Sequence, residues 1–147
     1  MTLWDLAGII LLMNKNKLFL MVGASFTGKT TKAEKLLKEI DNSVICRDLL
    51  STQDGLAAGK SVIVDLPNLT AADREPYIKL AKDSGLKVEA WAFISSFESI
   101  NKRAMGRIDE EFVKGQLREL KWPVQGEVHT MVVVSPDGEE FNVLGNN

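Results

Sequence analysis

The chain has 147 residues, 45% of them apolar and 26% charged, a balance that suits one globular core and argues against an extended disordered chain. Eighteen basic residues against twenty acidic ones give a net charge of −2, which excludes a surface built throughout to neutralise duplex phosphates but leaves room for a local basic groove. A lone cysteine, Cys46, cannot make an internal disulfide and no secretory leader is evident, so a reducing, cytoplasmic setting is expected.

The apolar run Leu6–Met13 falls far short of the roughly 20 residues that span a bilayer, so no membrane partner is expected. Residues 1–16 read as an N-terminal extension ahead of a single domain over 17–147. From Lys17 onward, short apolar runs alternate with segments of helical period, which predicts an α/β domain with a central, mostly parallel sheet flanked by helices. Leu18–Val22 reads as a buried strand, and Ala33, Leu36, Leu37 and Ile40 then share a helical face. Ser43–Cys46 predicts a second strand, Leu49–Ala58 a helix, and Ser61–Asp65 a third strand closing on a carboxylate.

Thr70–Ser84 has helical character, with Pro76 expected to delay the regular helix to about Glu75 and Gly85 to stop it. Lys87–Ile94 predicts a fourth strand and Phe97–Arg107 a helix rich in Lys and Arg. Asp109 is placed to cap a further helix bearing Phe112, Val113, Leu117 and Leu120, which Trp122-Pro123 ends. Thr130–Val134 and Glu140–Leu144 flank a Ser-Pro-Asp-Gly turn and predict a hairpin that adds one antiparallel strand at the C-terminal side.

Gly23-Ala24-Ser25-Phe26-Thr27-Gly28-Lys29-Thr30 matches G-x-x-x-x-G-K-[ST] between a predicted strand and a predicted helix. Glycines let such a loop curl so that main-chain N–H groups and a helix N-terminus surround phosphate oxygens; Lys29 supplies positive charge and Thr30 a hydroxyl ligand for Mg²⁺. Binding of a nucleoside triphosphate, ATP with Mg²⁺, is therefore expected at these eight residues.

Arg47-Asp48 follows the second strand, at the end of an open α/β sheet where ligands collect. A carboxylate there suits the base that takes a proton from an attacking hydroxyl, and Arg47 suits an acceptor phosphate; the plain alternative is that Asp48 caps the next helix. Asp65, at the end of the third strand, has the position of a Walker-B carboxylate that orders the Mg²⁺ shell, or else of a strand-end turn residue. Asn68 is a polar contact either for the acceptor or for its own loop. Arg103 and Arg107 lie four apart before the next helix and suit a lid over residues 103–109 that brings guanidinium groups over the phosphates, against the alternative of a solvated basic face. Cys46 and His129 read as structural, and no ligand cluster suggests zinc.

The phosphate loop, Val44-Ile45-Cys46-Arg47-Asp48, the stretch Gly59–Thr70 and Lys102-Arg103 through Arg107 together resemble the bacteriophage-type polynucleotide 5′-kinases, from about Leu18 to Trp122. The resemblance implies a P-loop kinase fold, ATP and Mg²⁺, Asp48 as the base toward a 5′-hydroxyl, and Arg107 as the lid arginine. Five positions depart from the family pattern: Leu49 and Ser51 replace an acidic residue and an arginine, Ser25-Phe26 replaces Pro-Gly, and Pro67 stands where a small polar residue is usual.

The function expected on this footing is γ-phosphate transfer from ATP to a hydroxyl, foremost the 5′-OH end of a DNA or RNA strand. A small-molecule or nucleoside kinase and a nucleotide-binding module of weak turnover are the competing readings. Assembly into a homo-oligomer is compatible with the sequence.

Overall fold

The computed structural model describes residues 2–3 and 15–144. The apolar run Leu6–Met13 therefore lies outside the described residues. Strand β1 (Lys17–Val22) leads through the phosphate loop into α1 (Lys29–Glu39), followed by β2 (Ser43–Cys46), α2 (Leu49–Ala57), β3 (Ser61–Val64) and α3 (Ala71–Asp83). Strand β4 (Lys87–Phe93), α4 (Phe97–Arg103), α5 (Glu110–Glu119), β5 (Thr130–Val134) and β6 (Glu140–Leu144) complete the order.

The six strands form one sheet in the order β2-β3-β1-β4-β5-β6, parallel throughout except for the antiparallel β5–β6 pair. This is the expected mostly parallel α/β architecture with its antiparallel C-terminal strand. Both faces are covered, which is why Leu18–Val22 of β1 and Val62–Val64 of β3 read as unbroken apolar runs. Leu18, Leu20, Val22, Val62, Val64 and Val88 pack with Tyr77 and Ala81 of α3 on one side. Phe19, Met21, Ile63, Trp91 and Phe93 pack with Ala33 and Leu36 of α1 on the other. Each fully buried aliphatic side chain of this kind contributes about 1.5–3 kcal/mol.

A third, smaller cluster joins Ala24 of the phosphate loop to Ile100 and Val113, with Phe97, Ile108 and Leu117 around it. It seats α4 and α5 against the phosphate loop. Among the described residues no helix is long and apolar enough to cross a membrane.

Three helices differ from the sequence expectation. Helix α3 starts at Ala71, not near Glu75, because a capping box between Thr70 and Asp73 nucleates it. Pro76 lies inside it; the Ala72 carbonyl that loses its helical donor is on an exposed turn, open to solvent. Helix α4 ends at Arg103 and not at Arg107, since Met105 (φ 54°) and Gly106 (φ 70°) turn left-handed and the Gly106 N–H donates to the Asn101 carbonyl at 2.9 Å. Arg103 and Arg107 consequently do not share a helical face. Helix α5 ends at Glu119, ahead of Trp122-Pro123, and its Phe112 is 58% exposed instead of core.

Candidate active site

The buried strand β1 ends at Val22, and the chain must bend within van der Waals reach of β4. Gly23 makes that bend at φ 153°, where a Cβ would lie 3.0 Å from the Phe93 carbonyl oxygen. Its N–H donates to the Pro67 carbonyl at 3.0 Å, tying the start of the phosphate loop to the loop after β3. Gly28 caps α1 at φ 99°, and a Cβ there would approach Arg103 Nη1 at 3.0 Å. The glycine thus leaves space for a guanidinium against the loop. The first turn of α1 carries no acidic residue and no side-chain cap, so its main-chain donors and dipole remain available to an anion.

Lys29 is 8% exposed, and its Nζ donates to the Ala24 carbonyl. Burial pushes its ammonium down to about 8 against the opposing pull of the Asp65 carboxylate. The Thr27 hydroxyl also donates to Ala24 O, at 2.8 Å, so the loop is held in its curled form by its own side chains. Phe26 adopts φ 62°, a left-handed conformation that glycine would take without strain and that costs a bulky residue about 1–2 kcal/mol. Its ring is half exposed at the mouth of the cavity.

The cavity over the loop has a volume of about 600 Å³ and is lined by Ser25, Phe26, Gly28, Lys29 and Thr30, and across from them by Arg47, Asp65 and Arg103. Gly23 and Ala24 lie behind it, while Thr27 opens onto a neighbouring cleft shared with Lys32, Arg103 and Ser135. Asp65 is 6% exposed, and its Oδ2 accepts from Thr30 Oγ1 at 2.9 Å and from Arg47 Nη2 at 2.9 Å. Thr30 and Asp65 present two hard oxygens side by side, which fits the carboxylate-poor, water-rich shell of Mg²⁺ better than an all-protein cage. Among the described residues no group of three or more His, Cys, Asp or Glu side chains is placed to hold a metal.

Arg47 thus reaches Asp65 and not an outlying acceptor position, although its side chain remains 57% exposed. Asp48 is the N-cap of α2: its Oδ1 accepts from the Ser51 N–H at 2.7 Å, and this bond, with a further one from the Ser51 side chain, holds its carboxyl below the usual range. Its carboxylate is exposed and does not line the cavity. Asn68 is 4% exposed at φ 48°, with its Nδ2 donating to the carbonyls of Met21 (2.8 Å) and Leu66 (3.3 Å). The amide makes both bonds to main-chain carbonyls, one in its own loop, and the residue also lines a second cavity beside that loop. Arg103 lies on the cavity wall, whereas Arg107 is exposed beyond the left-handed break and does not line it. Cys46 is buried, and His129 Nδ1 accepts from the Val88 N–H at 2.9 Å, a structural bond between strand and loop.

Two site-supporting residues carry little sequence signal. Gln116 of α5 is 7% exposed and its Oε1 accepts from the Ser25 N–H at 2.9 Å, across 91 positions. Only its place among Val113 and Leu117 on an apolar face marked it as a polar group needing a partner. Arg74 of α3 is 1% exposed, pairs with Glu127, and donates from Nη1 to the carbonyls of Asn68 and Lys121, each at 2.8 Å. It clamps the loop after β3 to the segment after α5.

Known structures share this architecture. A fungal RNA kinase superposes with a TM-score of 0.59 at 18% identity, over 82% of this chain and 38% of its own. Kti12 of Chaetomium thermophilum, in complex with ADP-AlF3, gives 0.63 at 15% identity, over 80% and 88%. The APS kinase CysC of Mycobacterium tuberculosis, in complex with AMPPNP and APS, gives 0.53 at 15%, over 84% and 90%. At these identities the likeness shows a P-loop kinase fold and nothing finer, and the chain spans well under half the length of the RNA kinase. No curated protein matches the chain. Residues 49–130, more than half of the sequence, match the family described as AAA domain, and the chain belongs to that family.

Proposed function

We propose that the chain is an ATP-dependent phosphotransferase that passes the γ-phosphate to a hydroxyl. The observation that carries this reading is the convergence of the Lys29 ammonium, the Thr30 hydroxyl and the Asp65 carboxylate at the floor of one 600 Å³ cavity, below the free N-terminus of α1. Thr30 and Asp65 would hold Mg²⁺, which would supply neutralisation of phosphate charge there. Lys29 and the loop amides hold the triphosphate tail, and Arg103, already against Gly28, offsets negative charge on the transferring group. The acceptor oxygen forms a bond to the γ-phosphorus as the bond to the β–γ bridging oxygen breaks; ADP leaves with that electron pair. The acceptor proton goes to Asp48 or to water. Asp48 serves as base only after the acceptor or the α2 terminus brings the two together, since its carboxylate is now spent on the helix cap.

The polynucleotide form, with a 5′-OH end as acceptor, rests on the resemblance and on the exposed guanidinium of Arg47. Ser51 in place of an arginine, and the Arg47–Asp65 pair, leave that form with less cationic surface for chain phosphates. Incubation with γ-labelled ATP and Mg²⁺, with 5′-OH oligonucleotides in one arm and nucleosides and amino alcohols in the other, tests the reading. Label should pass to a hydroxyl acceptor and the Lys29→Ala variant should pass none. MgATP binding without transfer in either arm would mark a nucleotide-binding module instead.

A further inference from the structure

Beside the phosphate cavity lies a second one of about 450 Å³, between the loop after β3 and helices α3 and α5. The two share Leu66 and Pro67 on their walls, so they adjoin at the loop after β3. Their charges are opposite. The cations Lys29, Arg47 and Arg103 all line the first. The second has no lysine or arginine on its wall and carries the carboxylates of Asp73 and Glu119. Arg74 is close behind, but it is buried and neutralised by Glu127.

Two polar groups on that wall await a partner. Tyr77 and Gln116 are each 7% exposed. Gln116 uses Oε1 on the Ser25 N–H, while its Nε2 and the Tyr77 hydroxyl make no hydrogen bond among the described residues. Among the described residues no fully enclosed polar side-chain atom lacks a partner, so both groups reach accessible space, and both residues line this cavity. Leaving such groups bare in a largely covered site is costly unless a ligand or water meets them. The cavity is in the size range of small-molecule sites, with Leu66, Pro67 and Phe112 as its apolar surfaces. Asp48 lies close enough for its charge, after burial, to raise the Tyr77 phenol above its usual range.

Resting on the phosphotransferase reading, we infer that this second cavity binds the body of the acceptor, and that the acceptor is a neutral or cationic hydroxyl compound of nucleoside size, not a phosphate-bearing strand. Tyr77 and the Gln116 amide hold its oxygens, the carboxylates of Asp73 and Glu119 repel phosphate, and Gln116 links acceptor and donor sites through Ser25. Transfer then forms a phosphate ester on the acceptor hydroxyl and releases ADP and a proton.

The test uses the full chain with MgATP. Ribonucleosides and glucosamine are compared with the 3′-monophosphates of the same nucleosides and with 5′-OH oligonucleotides. We expect kcat/KM at least about tenfold higher for the uncharged or cationic compounds, in keeping with loss of charge repulsion. Tyr77→Phe removes a hydroxyl that no group among the described residues uses, so it should leave the melting temperature and the KM for MgATP unchanged while raising the acceptor KM about five- to tenfold. Preference for the oligonucleotide or the 3′-phosphates, an unchanged acceptor KM in Tyr77→Phe, or MgATP binding without transfer to any small acceptor would overturn the inference. Transfer to no acceptor in any arm, or absence of MgATP binding, would instead overturn the phosphotransferase reading beneath it.

Discussion

Thr30 Oγ1 donates to Asp65 Oδ2 at 2.9 Å, joining the first turn of α1 to the end of β3 across 35 positions. Arg47 reaches the same oxygen, so three elements meet at one buried carboxylate. Asp65→Asn keeps the shape and removes the charge that Mg²⁺ requires. The variant should lose about 100-fold in turnover, and its ATP affinity should fall about tenfold with Mg²⁺ present while changing little in EDTA. Equilibrium titration under both conditions checks the split.

Lys29 gives a pH signature. Burial lowers its ammonium from 10.5 to about 8 in the free protein, whereas a bound triphosphate favours the charged form and raises it. Nucleotide binding above pH 8 must therefore take up a proton, and affinity should fall as pH rises through 8, approaching about tenfold per unit. The free chain behaves oppositely in folding: between about 8 and 10.5 the unfolded state holds more protons, so stability from this group rises with pH across that window. Calorimetry above pH 8 in two buffers of different ionisation heat reads the proton uptake directly.

The two lid arginines should separate. Arg103 packs against Gly28 at the cavity wall, and Arg103→Ala should raise the KM for ATP and lower turnover together, by about tenfold or more. Arg107 lies past the left-handed turn at Met105-Gly106 and must move to act, so Arg107→Ala should change turnover with little effect on ATP affinity. Steady-state kinetics of the pair decides between them.

Much of this was legible in the sequence where cause and effect are local. The phosphate loop is readable because its eight positions supply donors, charge and hydroxyl within one turn, and β1 and β3 because strands buried on both faces are nearly continuously apolar. The Ser-Pro-Asp-Gly turn announced the β5–β6 pair for the same reason. Gln116 on Ser25 and Arg74 on Glu127 were not readable, since their partners lie 91 and 53 positions away and only packing brings them together. The early end of α4 rests on a left-handed Met105, a conformation no residue type at that position announces. The bond from Asn68 to the Met21 carbonyl was not readable either, since it spans 47 positions.

Asp48 carries two roles that a pair of substitutions can part. Asparagine retains the oxygen that accepts from the Ser51 N–H but cannot take a proton, whereas alanine loses both. Asp48→Asn should therefore keep the melting temperature and lose transfer by about 100-fold, in line with loss of a general base. Asp48→Ala should lose transfer and also melt lower. Thermal melts read alongside single-turnover rates make the comparison.

The account turns on the triphosphate tail settling over Lys29 and the N-terminus of α1. Isothermal titration of the chain with MgATP addresses this most directly, with Lys29→Ala as the control. Saturable one-to-one binding by the wild type, strongly weakened in Lys29→Ala, is the predicted result. Equal binding by the two proteins, or no heat with either at millimolar nucleotide, would contradict it.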